Sequence, residues 1–252
     1  MLPAEAENFH CRMPPGGGTE DPMLKKLTGY FSTGELMLWC ASALLIILSF
    51  CLFDRESYMT LAASLIGITS LIFNAEGNPL GQALMILFSL LYGMISFAFS
   101  YYGEMLTYLG MTMPMAVFAL VSWLKNPYDG KKSEVRVNSI SKTELCFMLP
   151  VTAAVTAVFC LILSFFHTPN ILPGTVSVTT SFLAVYLTFR RSPFFAMAYA
   201  ANDAVLILLW SLASMTEVRY LSVVVCFSAF LVNDVYGFIS WQKMKKRQRQ
   251  AF

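Results

Sequence analysis

The sequence predicts an all-α multi-pass membrane protein of eight transmembrane helices, arranged as two parallel three-helix repeats with an inversion helix between them and one extra helix in front. Three observations carry this expectation. The 252 residues are 57% hydrophobic and only 13% charged, against about 25% charged in a water-soluble domain. Between Gly34 and Trp241, long apolar stretches are separated by short polar joints. Fifteen of the seventeen Lys and Arg residues fall on alternate joints or at the two ends of the chain.

A spanning helix needs about 20 apolar residues to cross roughly 30 Å of hydrocarbon. The segments that meet this are 34–53, 57–74, 79–102, 104–124, 144–166, 174–189, 193–215 and 218–241. The uncharged run from Leu145 to Phe189 divides at residues 167–174, where Pro169, Pro173 and Gly174 oppose helix propagation. The third and fourth spans are expected to turn tightly at Gly103-Glu104.

Basic residues set orientation. With the N-terminus in the cytoplasm, Arg12, Lys25 and Lys26 lie inside, as do Lys125, Lys131, Lys132, Arg136 and Lys142, then Arg190 and Arg191, and finally Lys243, Lys245, Lys246, Arg247 and Arg249. Only Arg55 and Arg219 remain outside. Both termini are therefore expected in the cytoplasm of a cell whose cytoplasmic membrane holds the chain.

Three regions follow: residues 1–30 as a disordered cytoplasmic tail, 31–243 as the membrane domain, and 244–252 as a basic cytoplasmic tail. Pro14-Pro15-Gly16-Gly17-Gly18 excludes a helix, and no apolar stretch follows a basic start, so 1–30 is not a cleavable signal peptide. The alternative for this stretch is an upstream extension of a chain that natively begins at Met23.

The repeat is read from an offset of 118 residues. Ser122-Trp123-Leu124-Lys125 and Ser240-Trp241-Gln242-Lys243 close the fourth and eighth spans, and Tyr92-Gly93-Met94-Ile95-Ser96 falls opposite Trp210-Ser211-Leu212-Ala213-Ser214. Spans 2–4 and 6–8 then form two units, with span 5 inverting the chain between them. In transporters built this way the substrate site sits near midplane at the repeat interface.

A carboxylate at bilayer depth costs about 2.5–3.5 kcal/mol on insertion scales, so intramembrane polar groups mark function. Two Asn-Asp pairs stand out, Asn202-Asp203 and Asn233-Asp234. Each lies eight or nine residues from the basic end of its span, which at 1.5 Å per residue is about 12–14 Å deep. Phe195, Tyr199, Asn202 and Trp210 share one stripe of the seventh span, and Gln82 and Tyr92 share the polar face of the third. Amides that donate and accept, beside flat aromatic walls, suit a planar heteroaromatic ligand with a carboxamide and a ribose. The carboxylates would take ribose hydroxyls or balance a cationic ring. The competing reading is that Asn and Asp stitch helices together.

Other chemistries lack support. The six cysteines include no Cys-x-x-Cys, and His10-Cys11 has no further ligands at metal spacing. There is no phosphate-binding Gly-x-x-x-x-Gly-Lys loop, no Gly-x-Ser-x-Gly and no His-Glu-x-x-His. No cofactor, metal site, enzymatic activity or nucleic-acid binding is expected.

Taken jointly, several stretches resemble the PnuC-type nicotinamide riboside (nicotinamide mononucleotide) transporters. They are Gly77-Asn78-Pro79-Leu80-Gly81, Leu91-Tyr92-Gly93-Met94-Ile95-Ser96, Tyr102-Gly103-Glu104, Pro114-Met115 and Trp123-Leu124-Lys125-Asn126, with Asn202-Asp203 and Val235-Tyr236-Gly237-Phe238-Ile239-Ser240-Trp241 in the second half. The resemblance implies a SWEET-like three-plus-one-plus-three core, facilitated diffusion of a vitamin precursor, trapping by a cytosolic kinase, and a homotrimer. The family often carries Trp-x-x-Trp ahead of the polar position; here that window reads Phe194-Phe195-Ala196-Met197-Ala198-Tyr199, and Tyr108 stands where an Asn is common. Relatives of the family carry thiamine or riboflavin, which are the alternative substrates.

Overall fold

Ser32 opens the first long helix by a reciprocal cap: its Oγ accepts from the Glu35 backbone at 3.3 Å, while its own N–H donates to Glu35 Oε2 at 2.7 Å. The computed structural model describes residues 30–168 and 170–251, without the side chains of Lys131 and Lys132. The expectations for the N-terminal stretch therefore lie almost wholly outside the described residues. The chain divides into two units, Met1–Leu36 and Met37–Phe252.

Eight helices among the described residues are long and apolar enough to cross a membrane. They are α1 (Thr33–Phe53), α2 (Tyr58–Ala75), α3 (Leu80–Ala98), α4 (Tyr102–Lys125), α5 (Lys142–Phe165), α6 (Ile171–Phe189), α7 (Phe194–Ser214) and α8 (Leu221–Gln250). A short antiparallel hairpin, β1 (Pro127–Tyr128) and β2 (Lys131–Val135), joins α4 to α5.

Four of the turns use one device. Gly77, Ser100, His167 and Arg191 adopt positive φ directly after a helix. The next residue's N–H then returns to a carbonyl five residues back: Asn78 to Phe73, Tyr101 to Ser96, Thr168 to Leu163 and Ser192 to Leu187. This left-handed cap satisfies the last carbonyls and reverses the chain within a few residues. The turn expected at Gly103-Glu104 is accordingly displaced to residues 99–101, and Gly103 and Glu104 begin α4. Likewise α6 starts at Ile171 and carries Pro173 in its first turn, where a missing N–H costs nothing.

Two further differences from the sequence reading have local causes. The last helix does not stop at Trp241 but runs to Gln250. Gln248 fastens it to the hairpin, accepting from the Val137 N–H at 2.8 Å and donating to Val135 O at 3.0 Å, while Arg247 pairs with Glu134. Within α4, residues Tyr108–Thr112 form a π-helical turn. Pro114 follows at once and cannot donate into the preceding turn, and the widened ladder absorbs that loss.

The 118-residue offset holds at the tryptophans but not at the turns. Trp123 Nε1 donates to Thr188 O at 2.9 Å, and Trp241 Nε1 donates to Asn74 O at 2.7 Å. Asn74 and Thr188 each lie three residues before their left-handed residue, Gly77 or Arg191, so these two turns match at an offset of 114. Tyr92 and Trp210 are therefore not counterparts within their helices. They are instead direct partners, Trp210 Nε1 donating to Tyr92 Oη at 2.7 Å.

In the larger unit, packing runs α2–α3–α4–α6–α7–α8 and back to α2, a closed ring of six helices. Helix α5 packs mainly on α6, with Leu163 against Gly103 of α4, and most of its apolar surface is exposed to the surroundings, as with Leu161 and Phe165. Helix α1 is tied to the ring by Trp39 Nε1 to Thr69 Oγ1 at 3.2 Å and by Ser42, which accepts from Asn233.

Candidate transport site

All six helices of the ring contribute to one enclosed cavity. Helices α2 and α3 supply Leu71, Met85 and Phe88, and the π-helical turn of α4 supplies Tyr108 and Thr112. Ser181 enters from α6, Tyr199, Asn202 and Asp203 from α7, and Phe227, Phe230 and Asp234 from α8. A π-helical turn shifts side chains around the helix axis, which aims Tyr108 and Thr112 inward together.

The polar side is tightly organised. Asn202 Oδ1 accepts from Ser177 Oγ at 3.2 Å, Thr180 Oγ1 at 2.9 Å and Ser181 Oγ at 3.0 Å. The three hydroxyls recur at i, i+3 and i+4 and so share one face of α6. They fix the amide's orientation, and its nitrogen is the end left for the cavity. The carboxyl groups of Asp203 and Asp234 lie within hydrogen-bonding reach of each other. Asp203 Oδ2 has no hydrogen-bond partner among the described residues. Tyr108 and Tyr199 both face this pair.

The aromatic side is continuous with the core below it. Tyr92 packs at 4.4 Å from Tyr108 and 5.5 Å from Phe227, and Phe88 stacks on Tyr92 at 5.6 Å. Trp210 holds the Tyr92 hydroxyl and packs at a tilt against Tyr101 at 4.7 Å. The cavity itself is small, about 20 Å³, which is room for about one water. Ligand pockets run to about 300–1,000 Å³, so a substrate enters only if the ring helices separate.

The sequence-derived site residues divide into two groups. Tyr199, Asn202, Asp203 and Asp234 meet at the cavity. Tyr92 and Trp210 lie behind its aromatic wall. Gln82 is buried away from it, donating from Nε2 to Asn74 Oδ1 at 2.8 Å, within the α2–α3–α8 contact. Phe195 sits between Trp123 at 6.4 Å and Trp241 at 4.8 Å. Asn233 faces outward to α1, donating to Ser42 Oγ at 2.9 Å and to Ala229 O at 2.8 Å. Asn233 and Asp234 are adjacent and about 100° apart around the helix axis, and only Asp234 falls on the cavity side.

Sequence reasoning missed Phe88, Phe227 and Phe230, since a phenylalanine in an apolar span suits lipid or packing equally well. It also missed the hydroxyl stripe Ser177, Thr180 and Ser181, whose spacing was legible. Glu104, expected in the turn between the third and fourth spans, sits in the first turn of α4 and is buried, 3% exposed, beside Ser177, with Oε2 lacking a hydrogen-bond partner among the described residues.

Residues 57–243 match the family model described as nicotinamide mononucleotide transporter. The chain belongs to this transporter family. A curated relative, the nicotinamide riboside transporter PnuC of Neisseria mucosa, is 26% identical over 199 residues, covering 77% of this chain and 76% of the relative. The fold is that of a solved structure titled as the vitamin B3 transporter PnuC, with a TM-score of 0.78 at 21% identity over 92% of this chain and all of the other. The family is one of membrane transporters, and this chain is a multi-pass membrane protein of that kind, not an enzyme.

Proposed function

We propose that this chain carries nicotinamide riboside across the cytoplasmic membrane by facilitated diffusion. One observation supports that substrate over the phosphorylated mononucleotide. Two carboxyl groups line the cavity, and no lysine, arginine or histidine lines it among the described residues. A phosphate there would meet like charge at low dielectric without a cation to offset it. A positively charged nicotinamide ring meets carboxyls and the faces of Phe88, Tyr108 and Phe227, which attract cations. Asn202 then reads the carboxamide or a ribose hydroxyl. Thiamine, also a cationic heteroaromatic, is the second reading favoured by this lining, ahead of neutral riboflavin.

In this reading both termini are cytoplasmic, a cytosolic kinase traps the product by phosphorylation, and the chain works as a homotrimer. No P-loop is present to drive uphill transport. Purified protein in liposomes is expected to take up radiolabelled nicotinamide riboside saturably and only to equilibrium, with competition by excess unlabelled riboside and none by the mononucleotide. Accumulation well above the external concentration under an imposed sodium or proton gradient overturns the mechanism.

Orientation is tested separately. In a cysteine-free background, Ser139→Cys and Lys246→Cys are expected to react with an impermeant maleimide only after the cell is opened. Glu56→Cys, on the exposed α1–α2 turn, is expected to react in intact cells. The reverse pattern inverts the topology.

A further inference from the structure

We propose that Asp203 and Asp234 form a cation subsite, at which one proton and the positively charged ring of a heteroaromatic ligand compete for the same pair of carboxyls. The proposal rests on the riboside reading for the ligand's identity, but not for its charge.

The geometry supports it in three ways. The two carboxyls come from different helices, α7 and α8, and meet within hydrogen-bonding reach at the cavity wall. A carboxylate only accepts hydrogen bonds, so two carboxyls in contact need a proton or a cation between them or beside them. Every other ionisable group around the pair is acidic or neutral. Tyr108 faces it from α4, Tyr199 from α7 and Cys226 from α8, and Glu104 of α4 neighbours Tyr108. Helices α2, α3 and α6 present Leu71, Met85, Phe88 and Ser181, none of which carries charge. Among the described residues no cation balances the pair, and Asp203 Oδ2 has no hydrogen-bond partner.

The ligand's ring charge can replace the proton because the exchange is neutral at the site: one positive charge enters as one proton leaves to solvent. This exchange makes the affinity for a cation depend on pH while that for a neutral ligand of the same shape does not. The sign follows from competition. Lower pH supplies more protons, holds the pair protonated and weakens cation binding, by up to roughly tenfold per pH unit on the acid side.

The test is equilibrium binding to the full chain in neutral-lipid nanodiscs from about pH 5.5 to 8.5. Nicotinamide riboside is compared with benzamide riboside, a neutral isostere lacking the ring charge. The Kd of the cation is expected to rise as pH falls, and that of the isostere to stay flat. In Asp203→Asn and in Asp234→Asn, an amide donates to the remaining carboxyl without a proton. Cation affinity is expected to fall at least tenfold and to lose its pH dependence, with isostere binding retained and melting temperature near the parent value. A pH-independent cation Kd in the parent, or an isostere with the same slope, overturns the subsite. If nicotinamide riboside does not bind at any pH, thiamine takes its place. Thiamine binding that weakens toward acid keeps the subsite and discards the riboside reading. Binding of neither cation overturns the subsite itself.

Discussion

Asn202→Ala is expected to lower both substrate affinity and thermal stability. The reason is that one side chain does two jobs. Its oxygen accepts from Ser177, Thr180 and Ser181 and so ties α7 to α6. Its other end lines the cavity with Tyr199 and Asp203. A hydrogen bond contributes about 0.5–1.5 kcal/mol net. The loss is partly recovered, because Thr180 already shares its hydroxyl with Val176 O and Ser177 O, and serines can turn to their own helix carbonyls. A destabilisation of about 1–2 kcal/mol follows. Binding weakens roughly ten- to thirtyfold, at 1.4 kcal/mol per decade. Ligand titration and thermal melting on the same purified variant check both. Unchanged affinity with a lowered melting temperature would make Asn202 a helix tether alone.

Gly81→Val is expected to be the most damaging single substitution, although Gly81 touches no part of the cavity. A Cβ at Gly81 would lie 2.3 Å from Asn74 Oδ1 and 2.7 Å from the Asn74 backbone nitrogen. The side-chain amide can swing aside, but the backbone nitrogen is held in α2, so α2 and α3 must separate. That separation breaks Ser70 Oγ to Gly81 O at 2.7 Å and Gln82 Nε2 to Asn74 Oδ1 at 2.8 Å. It also disturbs the Asn74 carbonyl that receives Trp241 Nε1 from α8. Overpacking costs about 1–3 kcal/mol, and the lost buried hydrogen bonds add to it. Little monodisperse protein is expected in detergent by size-exclusion chromatography. Gly110→Ala is the control, since a Cβ there meets nothing within 4 Å. Equal yield and melting temperature for Gly81→Val and Gly110→Ala would show that the α2–α3 crossing tolerates being opened.

The spans were legible because their cause is local. An apolar stretch of membrane length must satisfy its own backbone within the hydrocarbon, and only a helix does so within one segment. Asn202 and Asp203 were legible for a related reason, since polar groups at that depth are costly wherever the other helices go. The ends of the helices were harder to read. Ser100, His167 and Arg191 take left-handed conformations that favour glycine, so composition alone placed the α3–α4 turn three residues too late.

By itself, then, the sequence determined the membrane class, the eight helices and which polar residues lie within them. The tertiary structure alone decided which faces converge. It turned Asn233 to Ser42 and Asp234 to Asp203, though the two are neighbours in the chain. It buried Gln82 in the α2–α3 contact, and it brought Phe88, Phe227 and Phe230 to the cavity wall. The physical reason is that most faces of these helices are apolar enough for lipid, so hydrophobic periodicity marks the inward side poorly. Orientation is instead set by close approaches such as Gly81 on Asn74 and by hydrogen bonds between helices distant in sequence.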